Sequence, residues 1–196
     1  MTTTSTTTST ATSTATGLAA ATGTWAIDPS HSRLGFAAKH AMVTTVRGQF
    51  NAFAGSLVLD GTDPSGSSAT VDIEAASFTS GSEDRDNHVK SGDFLDVENY
   101  PTLSFTASSV RQLRDDQFVM TGDLTIRGTT RPVEITAELE GVSTDPFGND
   151  RIGFTGTTQI SRKDFGLTWN VALEAGGVLV SDKVKITLDV SAIKQA

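Results

Sequence analysis

The sequence predicts an all-β domain of about eight antiparallel strands, and three observations carry that expectation. Apolar and polar residues alternate with a period of two through most of the chain after Trp25. The alternating runs are separated by short turn signals built on Gly, Pro and Asp. Helix-favouring runs of Ala, Leu, Glu and Lys are scarce, whereas 18 glycines and 10 phenylalanines suit many turns and a β-rich core.

The elements follow in chain order. Met1 to Thr24 is almost entirely Thr, Ser and Ala, carries no charged side chain, and has no apolar run longer than Leu18 to Ala21. Such a stretch buries too little surface to order itself, so residues 1–24 are expected to be a disordered arm and residues 25–196 one domain. It has neither the basic start nor the roughly 7–15 apolar residues of a secretory signal, and the expected location is cytoplasmic. No stretch approaches the ~20 apolar residues needed to cross a bilayer as a helix.

From Trp25 onward the alternation marks the strands. Leu34, Phe36 and Ala38 share one face, as do Val71, Ile73 and Ala75, then Leu103 and Phe105. The same period places Phe118, Met120, Gly122, Leu124 and Ile126 together, followed by Val133, Ile135, Ala137 and Leu139. Ile152, Phe154 and Gly156 form the next set, and Val184, Ile186, Leu188 and Val190 the last. Turn chemistry stands between them at Asp60-Gly61, Asp63-Pro64, Arg127-Gly128, Asp145-Pro146 through Gly148-Asn149, and Gly176-Gly177. Connections this short join antiparallel neighbours.

Strands with one apolar face must hide it by closing into a barrel or by pairing two sheets, and periodicity does not choose between them. The inward positions mix Phe36, Phe53, Phe105, Phe118, Phe154 and Trp169 with Gly55, Gly122 and Gly156. Inward glycines leave room and favour a barrel with a usable interior; the plainer reading is that they permit bends or bulges.

One segment breaks the pattern. Ser80 followed by Glu83 has the form of a capping box, Asp84 and Asp86 lie where acids favour a helix start, and Gly92 supplies a stop. Arg85, His88 and Val89 share one face of that helix, while Asp86 and Lys90 pair on the other. Residues 80–100 therefore read as a small helical insertion lying over the sheet.

Charge and motif content narrow the chemistry. A formal net charge of −8 repels nucleic acid, and the absence of cysteine removes disulfides, thiolate nucleophiles and cysteine-based zinc sites. The three histidines, His31, His40 and His88, stand in no metal-binding signature, so no metal is expected. There is no Gly-x-Ser-x-Gly elbow and no phosphate-cradling loop, and acids such as Asp115 and Asp116 fall at hairpin tips, so no catalytic residue is assigned. Arg85 and His88 are the most interesting polar residues. Either they tie the insertion to the barrel, or they touch a ligand.

Several blocks carry a further signal: Trp25-Ala-Ile-Asp-Pro-Ser-His-Ser32, Arg85-Asp-Asn-His88 running into Lys90-Ser-Gly-Asp-Phe94, and Tyr100-Pro101. To these are added Gly122-Asp-Leu-Thr-Ile-Arg-Gly128, Arg131-Pro-Val133 and Ser161-Arg-Lys-Asp-Phe-Gly166. In this order they resemble the YceI-like family from about Trp25 to Ile193, with Val89 where leucine is more usual. The resemblance implies an eight-stranded antiparallel lipocalin-like β-barrel with a short helical insertion at its mouth, around residues 80–100. It also implies an elongated apolar channel that holds a polyisoprenoid, such as an isoprenoid quinone or its precursor, or another long amphiphile. No cofactor is implied beyond that lipid. Homodimers are common in the family, and many members carry a secretory signal that this sequence does not display.

The residues expected to line such a channel are Phe36, Phe53, Ile73, Phe105, Met120, Leu124, Phe154, Phe165, Trp169 and Val171, with Arg85 and His88 near a head group. The expected function is binding, carrying or storing the lipid without catalysis. The competing readings are an enzyme acting on a lipid head group through His88 and Arg85, and a stress-related scaffold whose pocket is incidental.

Overall fold

The alternating runs become strands wherever closing a ring lets their apolar sets face one interior. The computed structural model describes residues 18–174 and 176–196; residues 1–17 of the expected arm lie outside the described residues. The strands are β1 (Gly23–Ile27), β2 (Arg33–His40), β3 (Thr44–Phe50), β4 (Phe53–Leu59), β5 (Ser68–Glu74) and β6 (Phe78–Thr79). After helix α1 (Glu83–Lys90) come β7 (Thr102–Arg114), β8 (Gln117–Ile126), β9 (Thr129–Thr144), β10 (Asp150–Ser161) and β11 (Val180–Lys194).

The order β1-β4-β5-β7-β8-β9-β10-β11 closes on itself because β1 also pairs with β11, and the result is an eight-stranded antiparallel barrel. The choice between barrel and paired sheets is settled by that last ladder. Strand β11 is long enough to hold β2 at Val180–Asp189 and β1 at Ala192–Lys194 along the same edge. Strands β1 and β2 are thus two parts of one bent strand, broken by the single turn Pro29–His31. Strand β6 pairs with β3 and not with β7, and the insertion follows directly from it.

The bend is fixed by charge. Asp28 caps the turn by accepting from Ser30 N (3.0 Å) and also accepts from Arg151 Nη1 (2.7 Å), whose Nε donates to Asp145 (2.7 Å). The Ser30 bonds, then Arg151, hold the Asp28 carboxyl well below the usual carboxylate range. The block Trp25–Ser32 therefore has a structural role, joining the bent strand to the start of β10.

The Arg127-Gly128 link between β8 and β9 has φ of 49° and 68°, the paired positive values of a two-residue hairpin turn whose twist matches its strands. Along most strands the inward faces agree with the alternation. Leu34, Phe105, Phe118, Leu124, Ile126, Ile135 and Ile152 are all buried, each contributing about 1.5–3 kcal/mol through apolar area removed from water.

Two expectations need correction here. Residues 18–24 do not belong to a loose arm. Residues 18–20 form a helical turn, Ala21 is fully buried, and its carbonyl accepts from the indole of the equally buried Trp25 (2.8 Å). The turn is seated on Gly61, where any side chain would collide with the Leu18 carbonyl, and Gly61 N donates to Thr22 Oγ1 (3.0 Å). The Asp-Gly dipeptide thus serves a close approach as well as a turn.

The second correction concerns the inward glycines. At Gly122 a Cβ would lie 2.5 Å from Phe105 Cζ, and at Gly55 it would lie 2.7 Å from Ile27 Cδ1, so neighbours already fill both places. They seat side chains from adjacent strands rather than leaving space for a ligand. Gly156 alone of the three faces the interior void.

Candidate functional site

The barrel is too wide for its own side chains to fill, and an elongated cavity of about 340 Å³ remains along its axis. Phe36, Ile73, Phe105, Met120 and Leu124 form part of its wall, together with Ile135, Ile186 and Leu188. At one end stand Leu18, Leu57, Leu59 and Phe118, and beside them the polar groups Asp60, Ser67 and Ser68. The N-terminal turn thereby helps to close that end. At the other end stand Val89, Phe94, Leu95, Phe165 and Leu167.

That second end is the insertion. Val89, Phe94 and Leu95 turn inward, and Phe94 and Leu95 are buried, so the segment acts as a lid over the cavity. Its start differs from the expected capping box. Helix α1 has Ser82 as its N-cap, without a side-chain cap bond. Ser80 serves Asp86 instead: the carboxylate accepts from Ser80 N (2.8 Å), from the Ser80 hydroxyl and from Thr79 Oγ1 (3.0 Å). Burial pushes the Asp86 carboxyl up, but these bonds and the nearby Lys90 charge outweigh it and leave its pKa below the ordinary value. Rather than pairing with Lys90 on the outer face, Asp86 anchors the lid to β6, and Lys90 contributes only its field.

Arg85 and His88 do not border the cavity. Arg85 donates from Nε to Ser80 Oγ (2.7 Å) and from Nη2 to Ser80 O (3.0 Å), which commits it to the same anchor. His88 Nε2 is hydrogen-bonded to Asp93 Oδ2 (2.9 Å), and its ring meets Trp169 and Phe94 edge-on at centroid distances of 4.5 and 5.1 Å. Their hydrogen bonds stay inside the insertion rather than reaching barrel carbonyls or carboxylates, and only the His88 ring, edge-on to Trp169, reaches beyond it.

The remaining expected lining residues divide cleanly. Phe36, Ile73, Phe105, Met120, Leu124, Phe154 and Phe165 reach the cavity wall. Phe53 is buried in a cluster with Ile27 and Leu34, two residues that do line the cavity, but is not itself part of the wall. Trp169 packs outside the wall on Phe94 and His88, bracing the lid. Val171 is 47% exposed on the connection between β10 and β11, because the chain has left the sheet there and alternation no longer predicts direction.

One polar residue on the wall escaped the sequence reading. Arg162 is only 4% exposed and borders the cavity at the lid end. Its Nε donates to Ser181 O (3.0 Å), its Nη2 to Val180 O (3.4 Å) and its Nη1 to Leu167 O, and the guanidinium lies 5.9 Å from the Phe94 ring centroid. Burial lowers its pKa, while the field of Asp182 acts in the opposite sense. The signal was present in the sequence. Phe154, Gly156, Thr158 and Ile160 all reach the cavity, and the same parity continued one step further arrives at Arg162. Among the described residues no group of three His, Asp or Glu side chains is placed to hold a metal ion.

A closed antiparallel barrel, an apolar axial cavity and a helical lid define the lipocalin-like class of β-barrels. A family model described as YceI-like domain matches residues 25–192, and the chain belongs to the YceI-like family. It is 36% identical over 151 residues to a UPF0312 protein of Vibrio cholerae, covering 76% of this chain and 80% of that protein. A UPF0312 protein of Pseudomonas putida is 34% identical over 165 residues, covering 84% of this chain and 82% of that one. Among solved structures, the YCEI protein of Campylobacter jejuni superposes with a TM-score of 0.70 at 28% identity, covering 81% of this chain and 90% of that one. A polyisoprenoid binding domain from Saccharophagus degradans, implicated in plant cell wall breakdown, shares the fold with a TM-score of 0.66 at 14% identity, covering 87% and 98%.

Proposed function

We propose that this protein binds a long-chain amphiphile of the polyisoprenoid type in the barrel cavity, and carries or stores it without chemical change. The single observation that carries the reading is the cavity itself: about 340 Å³, reaching from Leu18 in the N-terminal turn to Phe94 in the lid, and walled mostly by Phe, Leu, Ile, Val and Met. Small-molecule sites begin near this volume, and an apolar wall recognises a chain by length and girth. An isoprene unit with roughly 100 Å² of surface gains about 2–3 kcal/mol on burial at about 25 cal/mol per Å² before entropic costs, so three or four units suffice for retention. The polyisoprenoid binding domain that shares this fold supports the same class of ligand.

Mild purification, solvent extraction and mass spectrometry test the reading directly. The expected result is a co-purifying prenyl lipid, or uptake of one by protein that emerges empty. Protein that emerges empty and takes up no prenyl lipid overturns it.

A further inference from the structure

Four exposed apolar side chains converge on two neighbouring loops: Met42 and Val43 in the turn between β2 and β3, Val171 and Val178 in the connection between β10 and β11. The loops are tied together, since Ala41 N donates to Leu179 O (2.7 Å) and Leu179 N donates to Val171 O (2.9 Å). Asn170 fixes the second loop, its Oδ1 accepting from Val171 N and Val180 N (both 3.0 Å) and its Nδ2 donating to Val180 O (2.7 Å). In the first loop Ala41 and Met42 hold φ of 48° and 61°, a left-handed conformation that is costly for any residue with a Cβ. Met42 is 53% exposed and Val43 78%, so the core gives nothing back for that strain, and what favours it lies outside the chain.

The charge beside this tip is mostly positive, in a chain whose net charge is −8. Lys39, Arg47, Lys183 and Lys185 are exposed on β2, β3 and β11. Register groups them: Ala37 pairs with Arg47 on one side and Lys185 on the other, Lys39 follows Ala37 by two residues, and Lys183 precedes Lys185 by two. Strand parity therefore puts all four on the outer face. Among the described residues none of them is in an ion pair. Two acids stand near: Glu174 in the second loop, and Asp182, which is committed to Ser161 Oγ (2.9 Å) and Lys163 N (3.3 Å). We propose that Met42, Val43, Val171 and Val178 dock this protein on an anionic lipid bilayer, with Lys39, Arg47, Lys183 and Lys185 facing its head groups. Four side chains fall short of the about 800 Å² per partner that a stable protein interface buries, whereas a bilayer takes an apolar tip ringed by cations. The exposed lid acids Glu83, Asp84 and Asp93 are repelled by the same surface, so contact is made from the loop side of the cavity mouth. None of the eight docking side chains borders the cavity, and the face stands whatever the cavity holds.

The full chain is sedimented with vesicles of mixed phosphatidylglycerol and phosphatidylcholine, and with vesicles of phosphatidylcholine alone. The wild-type protein is expected to partition about tenfold or more in favour of the anionic vesicles, a preference that shrinks as salt is raised. Lys39→Gln with Arg47→Gln is expected to lower anionic binding about tenfold or more, since each cation near such a surface is worth about fivefold. Met42→Asn with Val43→Ser is expected to lower it severalfold at an unchanged melting temperature, because asparagine accepts the positive φ at position 42. Wild-type protein that pellets with neither vesicle, or equally with both, overturns the proposal without any variant being needed. Binding that neither pair alters overturns the assignment to this face. A dimer that Met42→Asn with Val43→Ser converts to monomer, in a protein that binds no vesicle, makes the tip a protein interface and overturns it too. Lipid extracted from the cavity is expected to be the same in both pairs as in the wild-type protein, so failure here leaves the cavity's role standing.

Discussion

The ring of Phe105 lies against the backbone of Gly122, so close that a Cβ at position 122 would stand 2.5 Å from Phe105 Cζ and equally near the Thr106 carbonyl. An aromatic ring on β7 thus occupies the side-chain place that its neighbour β8 leaves empty, and the wall is made smooth at that point. Gly122→Ala forces ring and strand apart and is expected to cost about 1–3 kcal/mol, the range for overpacked cores. Urea unfolding measures it. Combining Gly122→Ala with Phe105→Leu is expected to cost less than the sum of the two single changes, and strict additivity would show that the two residues do not share the space.

Gly156 gives a contrasting test, because it borders the void and the atoms nearest to a Cβ there, on Leu188 and Ile135, lie at 3.2–3.4 Å rather than 2.5 Å. Gly156→Leu narrows the channel without removing a packed neighbour. Lipid recovered per protein is expected to fall severalfold while the melting temperature stays within a few degrees, as for a surface of the cavity rather than the core. Unchanged lipid content would place the ligand elsewhere.

The polar anchor at the start of the lid centres on one carboxylate. Asp86→Ala removes an acceptor shared by Thr79 and two groups of Ser80, and is expected to cost about 1–2 kcal/mol for lost bonds to a charged group. The loss should be local: hydrogen exchange accelerates across residues 80–100 while β8 through β11 stay protected. Exchange that rises uniformly over the barrel would mean that the lid is not a separate unit.

Acid should loosen the same anchor. Asp86 has a folded-state pKa below its unfolded one, so its contribution is complete above about 3.9 and is lost as pH falls through the folded value. Asp28 is held low by Ser30 and then Arg151, and it titrates in the same sense. The melting temperature is therefore expected to drop as pH is lowered from about 5 to about 2, less steeply in Asp86→Asn than in the wild-type protein. Identical slopes would remove Asp86 from the account.

Gly61 tests the ordered N-terminal turn. Gly61→Ala collides with the Leu18 carbonyl and is expected to displace residues 18–22, exposing the Trp25 indole whose bond to Ala21 shields it. In a Trp169→Phe background, so that Trp25 is the sole indole, emission should shift to longer wavelength. Emission that does not move would show that the turn is not seated on Gly61.

Much of the wall was legible because strand parity is a local property. Once Phe118, Met120, Leu124 and Ile126 share a face, closing the ring commits all of them inward, and the structure agrees at each. Parity failed where the chain leaves the sheet, as at Val171, and where an inward side chain is consumed by a neighbour, as at Phe53. The Ser80–Glu83 spacing has the form of a cap, but the same hydroxyl finds a stronger acceptor in Asp86.

By itself the sequence determined the antiparallel strands, the family and the apolar inward faces, since each rests on residues within a few positions of one another or on motifs in order. The tertiary structure alone decided the rest. The β1–β11 ladder turned strands into a barrel, the N-terminal turn found Gly61, and the lid drew Arg85 and His88 away from the cavity. It also left Arg162 buried among carbonyls from distant stretches of chain. The physical reason is common to all four. Alternation states which way a side chain points, whereas burial, ion pairing and cavity shape depend on what the rest of the chain brings opposite it.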